Sequence, residues 1–132
     1  MLKLHRSPDS SRGQTLVEFA LIVPLFLLIV IGLFDVGRAV YAYNTAANAA
    51  RAAARVAIVN QDPVAIRDAA RKQAVGLGLT DANITLVPCS EIFCDYSVTV
   101  RVPYTPATPL IGNLFDSNIS STATMPVEFD NP

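Results

Sequence analysis

The sequence predicts an α+β protein in which a long N-terminal membrane-spanning helix continues into a second helix packed on a small antiparallel sheet. Three observations carry this prediction. Sixteen consecutive residues from Phe19 to Phe34 carry no charge. Strong helix formers then follow at nearly every position up to Val59. In the last third of the chain the apolar residues change from helical spacing to strict alternation, which is the pattern of half-buried strands.

These patterns divide the chain into a leader at residues 1–13, a long helix at residues 14–59 and an extracytoplasmic α+β domain at residues 60–132. The leader holds three basic residues, Lys3, Arg6 and Arg12, against one acid, whereas the whole chain has a net charge of −1. Basic residues are retained on the cytoplasmic side of a membrane. We therefore expect the N-terminus in the cytoplasm and the C-terminal domain outside the cytoplasmic membrane.

The apolar segment at residues 16–34 has the length of a single membrane span. At about 1.5 Å per helical residue it extends about 28 Å, close to the ~30 Å thickness of the hydrocarbon layer. Pro24 removes a backbone hydrogen bond inside this segment, so a kink is expected there. Since nothing obliges the helix to stop before Asn60, one helix is predicted from about Thr15 to about Val59.

The second half of this helix carries a stripe of small residues that permits close packing. The stripe can pack against a neighbouring subunit or against the protein's own domain, and we favour its own domain. Arg51 and Arg55 are four residues apart and are expected on the solvated face. The stripe consists of Ala46, Ala49, Ala50, Ala53, Ala54 and Ala57.

Two tyrosines, Tyr41 and Tyr43, precede this stripe in the helix. They suit either a membrane interface or ordinary packing.

A second helix is predicted to begin at Asp62 and Pro63. An aspartate side chain caps free backbone amides, and proline fits the first turn of a helix. We expect this helix to run to about Val75, where Gly76 and Gly78 end it.

Three strands are predicted beyond the second helix. Residues 84–87 are a short candidate strand, and residues 95–102 alternate between polar and apolar side chains. Residues 119–129 alternate in the same way, with Pro126 suited to an edge strand. A helical turn is predicted at residues 110–115.

The N-terminal segment RGQTLVEFALIVPLFLLIVIGLFDVGRAVY resembles the N-terminus of the TadE-like proteins, which are pilin-like components of the tight-adherence pilus system of bacteria. The resemblance implies that a prepilin peptidase cuts after Gly13. Gln14 then becomes the first residue of the mature chain and Glu18 the fifth.

Glu18 lies inside the apolar helix, where an anion needs a compensating partner. A carboxylate costs about 2.5 to 3.5 kcal/mol near the centre of a membrane helix, and less near the interface. In the pilin-like interpretation its partner is the new α-amine at Gln14 of an adjacent subunit, and this pair sets the axial register. In the alternative interpretation, Gly13 is a loop residue and Glu18 reaches the headgroups from an ordinary signal anchor.

Cys89 and Cys94 enclose four residues at the hinge between the first two predicted strands, and we predict a disulfide between them. It closes a short loop, so it contributes only about 2 kcal/mol in the chain-entropy model. Two free thiols are the alternative. No metal site is expected, because the only histidine, His5, lies in the leader and two cysteines do not complete a tetrahedral ligand set.

The sequence gives no indication of catalysis. Residues 14–132 contain no histidine and no glycine-rich phosphate loop, so no catalytic residue, cofactor or small-molecule substrate is predicted. The basic residues are dispersed, which argues against nucleic acid as a partner. We expect a minor pilin or pseudopilin whose partners are the cytoplasmic membrane, a prepilin peptidase, other pilin-like subunits and the pilus assembly machinery. The alternative is an uncleaved, single-pass anchored module that binds an envelope component through its sheet and the loop at residues 103–109.

Overall fold

One helix, α1, runs from Ser10 to Val59 and forms the spine of the molecule. The structure is a computed structural model that describes residues 10–89, 94–107 and 118–127, with side chains for all of these except residues 10–12 and 94. The helix ends where the sequence predicts, but it begins five residues earlier. No proline lies between Ser10 and Thr15, and a single helical glycine costs only about 1 kcal/mol. The helix continues through Pro24, and a kink there stays a prediction.

The second half of α1 forms the centre of the core through its small residues. The prediction that the alanine stripe packs on the protein's own domain is confirmed, because α1 contacts α2, β2 and β3 along it. Arg51 and Arg55 lie on the exposed face, as predicted. Alanines allow the helix backbone to approach its neighbours closely, so burial here comes from proximity and not from large side chains. The buried alanines of α1 are Ala42, Ala46, Ala47, Ala49, Ala50, Ala53, Ala54 and Ala57.

The second helix, α2, spans Pro63–Gln73. The side chain of Asp62 caps it by accepting a hydrogen bond from the backbone amide of Val64 at 3.1 Å. The helix ends two residues earlier than predicted, and the chain then turns through the left-handed φ values of Gly76 (82°) and Gly78 (58°). Glycine adopts such values without the steric cost that other residues carry. The predicted start and stop signals therefore operate as expected.

A three-stranded antiparallel sheet follows a single 3-10 turn at Asp81–Asn83. Its strands are β1 (Ile84–Val87), β2 (Cys94–Pro103) and β3 (Asn118–Val127), in the spatial order β1-β2-β3. β2 is therefore central, and Pro126 lies in an edge strand, as predicted. The predicted helical turn at residues 110–115 lies outside the described residues.

The two faces of β2 differ in the way that its alternation predicts. Tyr96, Val98, Val100 and Val102 are buried. On the opposite face, the hydroxyls of Ser97 and Thr124 lie 2.8 Å apart, as do those of Thr99 and Thr122. The cross-strand hydroxyl pairs fix the register between β2 and β3. The α+β fold is thus confirmed, with the sheet covering one side of α1 and α2 packed beside it.

Candidate assembly helix and its junction with the domain

The first half of α1 is an apolar helix with no cover from the rest of the described chain. Its most hydrophobic 18-residue window has a mean hydropathy of 2.8 and is not buried at all. Leu16 and Phe34, at the two ends of the apolar run, are each 71% exposed, and Pro24 between them is also exposed. An apolar surface of this extent marks contact with lipid or with another protein. By length and composition, α1 is able to cross a membrane once.

Gly13, Gln14 and Glu18 lie together in the first described turns of this bare helix. The Gln14 side-chain amide nitrogen, Nε2, donates to Oε1 of Glu18 at 3.2 Å, one turn further along. A Cβ atom added to Gly13 would meet nothing within 4 Å. Neither packing nor backbone conformation therefore requires glycine at this position of the described structure.

The predicted disulfide lies at the other end of the domain. Cys89 follows β1 and is not a free thiol in the structure. The side chain of Cys94 lies outside the described residues, so the pairing of these two cysteines stays a prediction. In the part of the chain that the structure describes, no group of three or more His, Cys, Asp or Glu residues could hold a metal ion.

Asp35 marks the junction between the bare half of α1 and the domain. Asp35 is only 3% exposed, although it follows the exposed apolar run directly. Oδ1 of its carboxylate accepts a hydrogen bond from the backbone amide of Ala107 at 2.9 Å. The hydroxyl of Tyr104 donates to its backbone carbonyl oxygen at 2.7 Å. These bonds fasten the segment that follows β2 to the helix.

Arg38 lies one turn beyond Asp35 and completes the junction. Its Nη1 atom is 4.0 Å from Oδ1 of Asp35, an ion pair between residues that are three apart on one helix. The guanidinium also lies 5.9 Å from the centre of the Tyr104 ring, within the range of a cation–π interaction. The Arg38 side chain is nevertheless 61% exposed. Its charge is only partly balanced and is open to a further anion.

The junction includes one residue whose role the sequence left open. Tyr41 donates a hydrogen bond from its hydroxyl to the backbone oxygen of Val75 at 3.0 Å, while more than half of its side chain is exposed. It therefore packs on the turn after α2 and presents its ring to the surroundings at the same time. Tyr43 is exposed to a similar degree. The contacts of Tyr104 and Ala107 were not predicted, since no local pattern points to them.

Comparison with known protein families gives a match over the N-terminal part of the chain. Residues 13–55 match the family model described as TadE-like protein. The resemblance drawn from the N-terminal sequence is thereby confirmed. The match begins at Gly13, passes through the bare helix and the junction, and ends within the alanine stripe.

The TadE-like match covers about a third of the chain. The similarity to TadE-like proteins therefore concerns the N-terminal hydrophobic helix and the junction. The second helix and the sheet lie outside the matched residues. No curated protein and no solved structure matched the chain.

Proposed function

We propose that this protein is a pilin-like component, a minor pilin or pseudopilin, of a tight-adherence pilus system, and that it assembles through α1. One observation carries the proposal. A single 50-residue helix, with a TadE-like sequence from Gly13, is bare and apolar in its first half and forms the core of a folded domain in its second half. A subunit of this form can reside in the membrane through the bare half and exchange lipid for neighbouring helices on assembly.

Processing by a prepilin peptidase between Gly13 and Gln14 is part of the proposal. Gly13 lies in a helix, where glycine is unfavourable by about 1 kcal/mol relative to alanine. A Cβ atom at this position meets open space, so the described fold offers no reason for a glycine. Recognition by another protein supplies such a reason, and it supports Gly13 as the cleavage residue.

Glu18 is proposed to set the register of assembly through its charge. Its described hydrogen-bond partner, the Gln14 amide, is neutral and is itself exposed. A neutral donor balances a carboxylate in lipid only in part, whereas the freed α-amine of a neighbouring Gln14 supplies an opposite charge. The same cleavage therefore creates the cation that this anion needs.

The remaining parts of the proposal follow from the same arrangement. The domain is extracytoplasmic and the N-terminus cytoplasmic, in agreement with the basic residues of the leader. The protein acts by assembly and not by catalysis, with the membrane, the prepilin peptidase and other pilin-like subunits as partners. A Cys89–Cys94 disulfide suits the oxidising compartment outside the membrane.

Mass spectrometry of the N-terminus tests the processing step. In cells that contain the pilus system, the exported protein is expected to begin at Gln14. The Gly13→Leu variant is expected to keep residues 1–13 attached, because its new side chain blocks the peptidase and not the fold. Gly37→Ala is the matched control, since a Cβ atom there also meets nothing within 4 Å, and this variant is expected to be cleaved normally. A wild-type chain that retains Met1 contradicts the processing step.

The register role of Glu18 is tested separately from processing. Glu18→Gln keeps the length of the side chain and an oxygen that accepts from Gln14, but it removes the charge. It is expected to be cleaved normally and yet to reduce the pilus-incorporated protein at least as strongly as Glu18→Ala. Equal incorporation of Glu18→Gln and wild type would mean that the charge has no role in assembly.

The second candidate function is that of an uncleaved, membrane-anchored binding module. The segment that follows β2 favours it, because Tyr104 and Ala107 fasten this segment to the helix at Asp35, directly after the apolar run. An intact N-terminus together with capture of an envelope component that depends on this segment would support the module and refute the pilin-like role.

A further inference from the structure

Two adjoining cavities lie at the junction between the bare helix and the domain, and together we call them the junction groove. Its lower part is an apolar cavity of about 320 Å³ on the surface of α1. Its upper part is a more polar cavity of about 270 Å³ between α1, the turn after α2 and the end of β2. Arg38 and Tyr41 line both cavities, so the two parts adjoin each other. The lower part is lined by Val30, Leu33, Phe34, Gly37, Arg38 and Tyr41.

The lower part follows one face of α1. Its lining residues recur at intervals of three and four positions, which places them in a single stripe along the helix. Gly37 interrupts this stripe between the rings of Phe34 and Tyr41, and nothing lies within 4 Å of the position that its Cβ would occupy. The glycine thus leaves a notch between these two rings, directly before Arg38, whose guanidinium reaches back to within 4.0 Å of the Asp35 carboxylate.

The position of Arg38 along the helix matches the headgroup layer of a membrane. Phe34 ends the apolar run, and Arg38 lies four residues further, which is about 6 Å along the helix axis. The polar headgroup region of a bilayer begins at the end of the hydrocarbon layer and extends for several ångströms. The apolar part of the groove therefore lies at acyl-chain depth, and the Arg38 guanidinium, 4.0 Å from Asp35, lies at the level where the headgroups begin.

We propose that the junction groove binds one phospholipid of the outer leaflet of the cytoplasmic membrane, with its phosphodiester on Arg38 and an acyl chain along Val30, Leu33 and the notch at Gly37. A guanidinium matches two oxygens of a phosphate with parallel hydrogen bonds. This inference rests on the membrane-spanning part of the proposed function, and it adds a specific ligand to it.

Charge favours a lipid over a second copy of this chain in the groove. A second α1 at the same depth in the membrane presents its own Arg38, and two guanidinium groups repel each other in a medium of low dielectric constant. An anionic phosphodiester instead neutralises the part of the Arg38 charge that Asp35, at 4.0 Å, leaves unbalanced. Tyr41 and Tyr104 add aromatic edges at the level where such side chains meet headgroups.

Native mass spectrometry of the full chain tests the proposal. The protein is reconstituted into vesicles of phosphatidylglycerol and phosphatidylcholine, extracted into mild detergent, and analysed for lipid that remains bound. Wild type is expected to retain one phosphatidylglycerol per chain. Arg38→Gln is expected to retain at least tenfold less, and Arg38→Lys, which keeps the charge but not the planar fork, an intermediate amount. Arg51→Gln is the matched control on the exposed face of α1 and is expected to behave as wild type.

Gly37→Leu tests the notch independently of charge. The new side chain meets open space and improves helix propensity, so the fold is retained while the groove is filled. It is expected to lose bound lipid as Arg38→Gln does. Lipid retention by both variants at the wild-type level overturns the proposal. The proposal is also overturned if inorganic phosphate alone binds the site with the affinity of the lipid. It is likewise overturned if Gly37→Leu loses a dimer and not bound lipid.

Flotation of the chain with the vesicles separates this proposal from the one on which it rests. A chain that does not float with lipid refutes the membrane span and, with it, the junction groove as a lipid site. A chain that floats but retains no phosphatidylglycerol refutes the lipid site alone. Cleavage at Gly13 is read from the mass of the same sample and does not depend on either result.

Discussion

Replacement of Asp35 by alanine is expected to loosen the attachment of the β2–β3 segment to α1. The carboxylate is almost fully buried and accepts a hydrogen bond from the backbone amide of Ala107. A hydrogen bond to a charged group contributes about 1.5 to 3 kcal/mol, and the amide that loses its acceptor adds to the cost when it stays buried. The ion pair with Arg38 adds little, since that side chain is largely exposed. We expect a loss of about 2 to 3 kcal/mol in the free energy of unfolding.

Tyr104→Phe removes the second bond of the same attachment. The Asp35 carbonyl oxygen that accepts from the Tyr104 hydroxyl lies within the helix, so the loss is that of one ordinary hydrogen bond, about 1 kcal/mol. Because both variants release the same segment, their effects are not additive. The double variant is expected to lose at least 0.5 kcal/mol less than the sum of the single losses.

Thermal unfolding of the full chain in detergent micelles measures these effects. The protein has four tyrosines and no tryptophan, and all four tyrosines lie beyond the apolar run, so the near-ultraviolet circular dichroism reports the domain and not the micelle-bound helix. For a domain of this size, 2 to 3 kcal/mol corresponds to a decrease in Tm of about 10 to 20 °C. The exposed Asp95→Ala variant is the control and is expected to unfold at the wild-type temperature. An Asp35→Ala chain with the same Tm as this control would refute the attachment.

Three further substitutions test the fold. Asp62→Ala removes the cap on the amide of Val64 and is expected to lower stability by about 1 kcal/mol, as measured by urea unfolding. Ala53→Leu overfills a site with no exposure and is expected to cost about 1 to 3 kcal/mol in the same assay, or more if the helices separate. Burial raises the pKa of Tyr96. Because the folded state prefers the neutral phenol, the free energy of unfolding is expected to fall above about pH 10. The Tyr96→Phe variant should lack this part of the decrease. An absorbance titration of the variant should also lack the ionisation of this tyrosine.

The helices and strands could be predicted because their signals are local. Helical spacing of alanines predicts the buried face of α1, and alternation from Tyr96 to Val102 predicts the buried face of β2. In both elements the period of the backbone decides which side chains share a face, so a short stretch of sequence contains the answer. The start of α1 at Ser10 was not predicted, because no local signal marks it. Helix ends without a strong breaker depend on small differences in free energy, and spacing does not report these.

The junction could not be predicted, because its contacts join distant parts of the chain. Tyr104 and Asp35 are 69 residues apart, and Ala107 and Asp35 are 72 residues apart. Their meeting depends on the length of β2 and on the side of the helix that the sheet covers. An aspartate placed directly after an apolar run was a signal of a buried partner, since a charge there is costly without one. The identity of that partner needed the three-dimensional structure.

Glu18 lies in the bare helix and Asp35 lies at its end. Each carries a negative charge beside apolar residues, where a charge needs a compensating partner. Asp35 follows the apolar run, and its own chain supplies an amide, a cation and a covering segment. Glu18 lies near the start of the run and contacts the neutral side chain of Gln14, and among the described side chains no cation pairs with it. Among the described side chains Glu18 has no counter-charge, and the proposed cleavage at Gly13 would create an amine at the same end of the helix, so the proposed function supplies this acid with a partner in another subunit. The contrast with Asp35 therefore strengthens the case that Glu18 serves assembly and not the stability of the monomer.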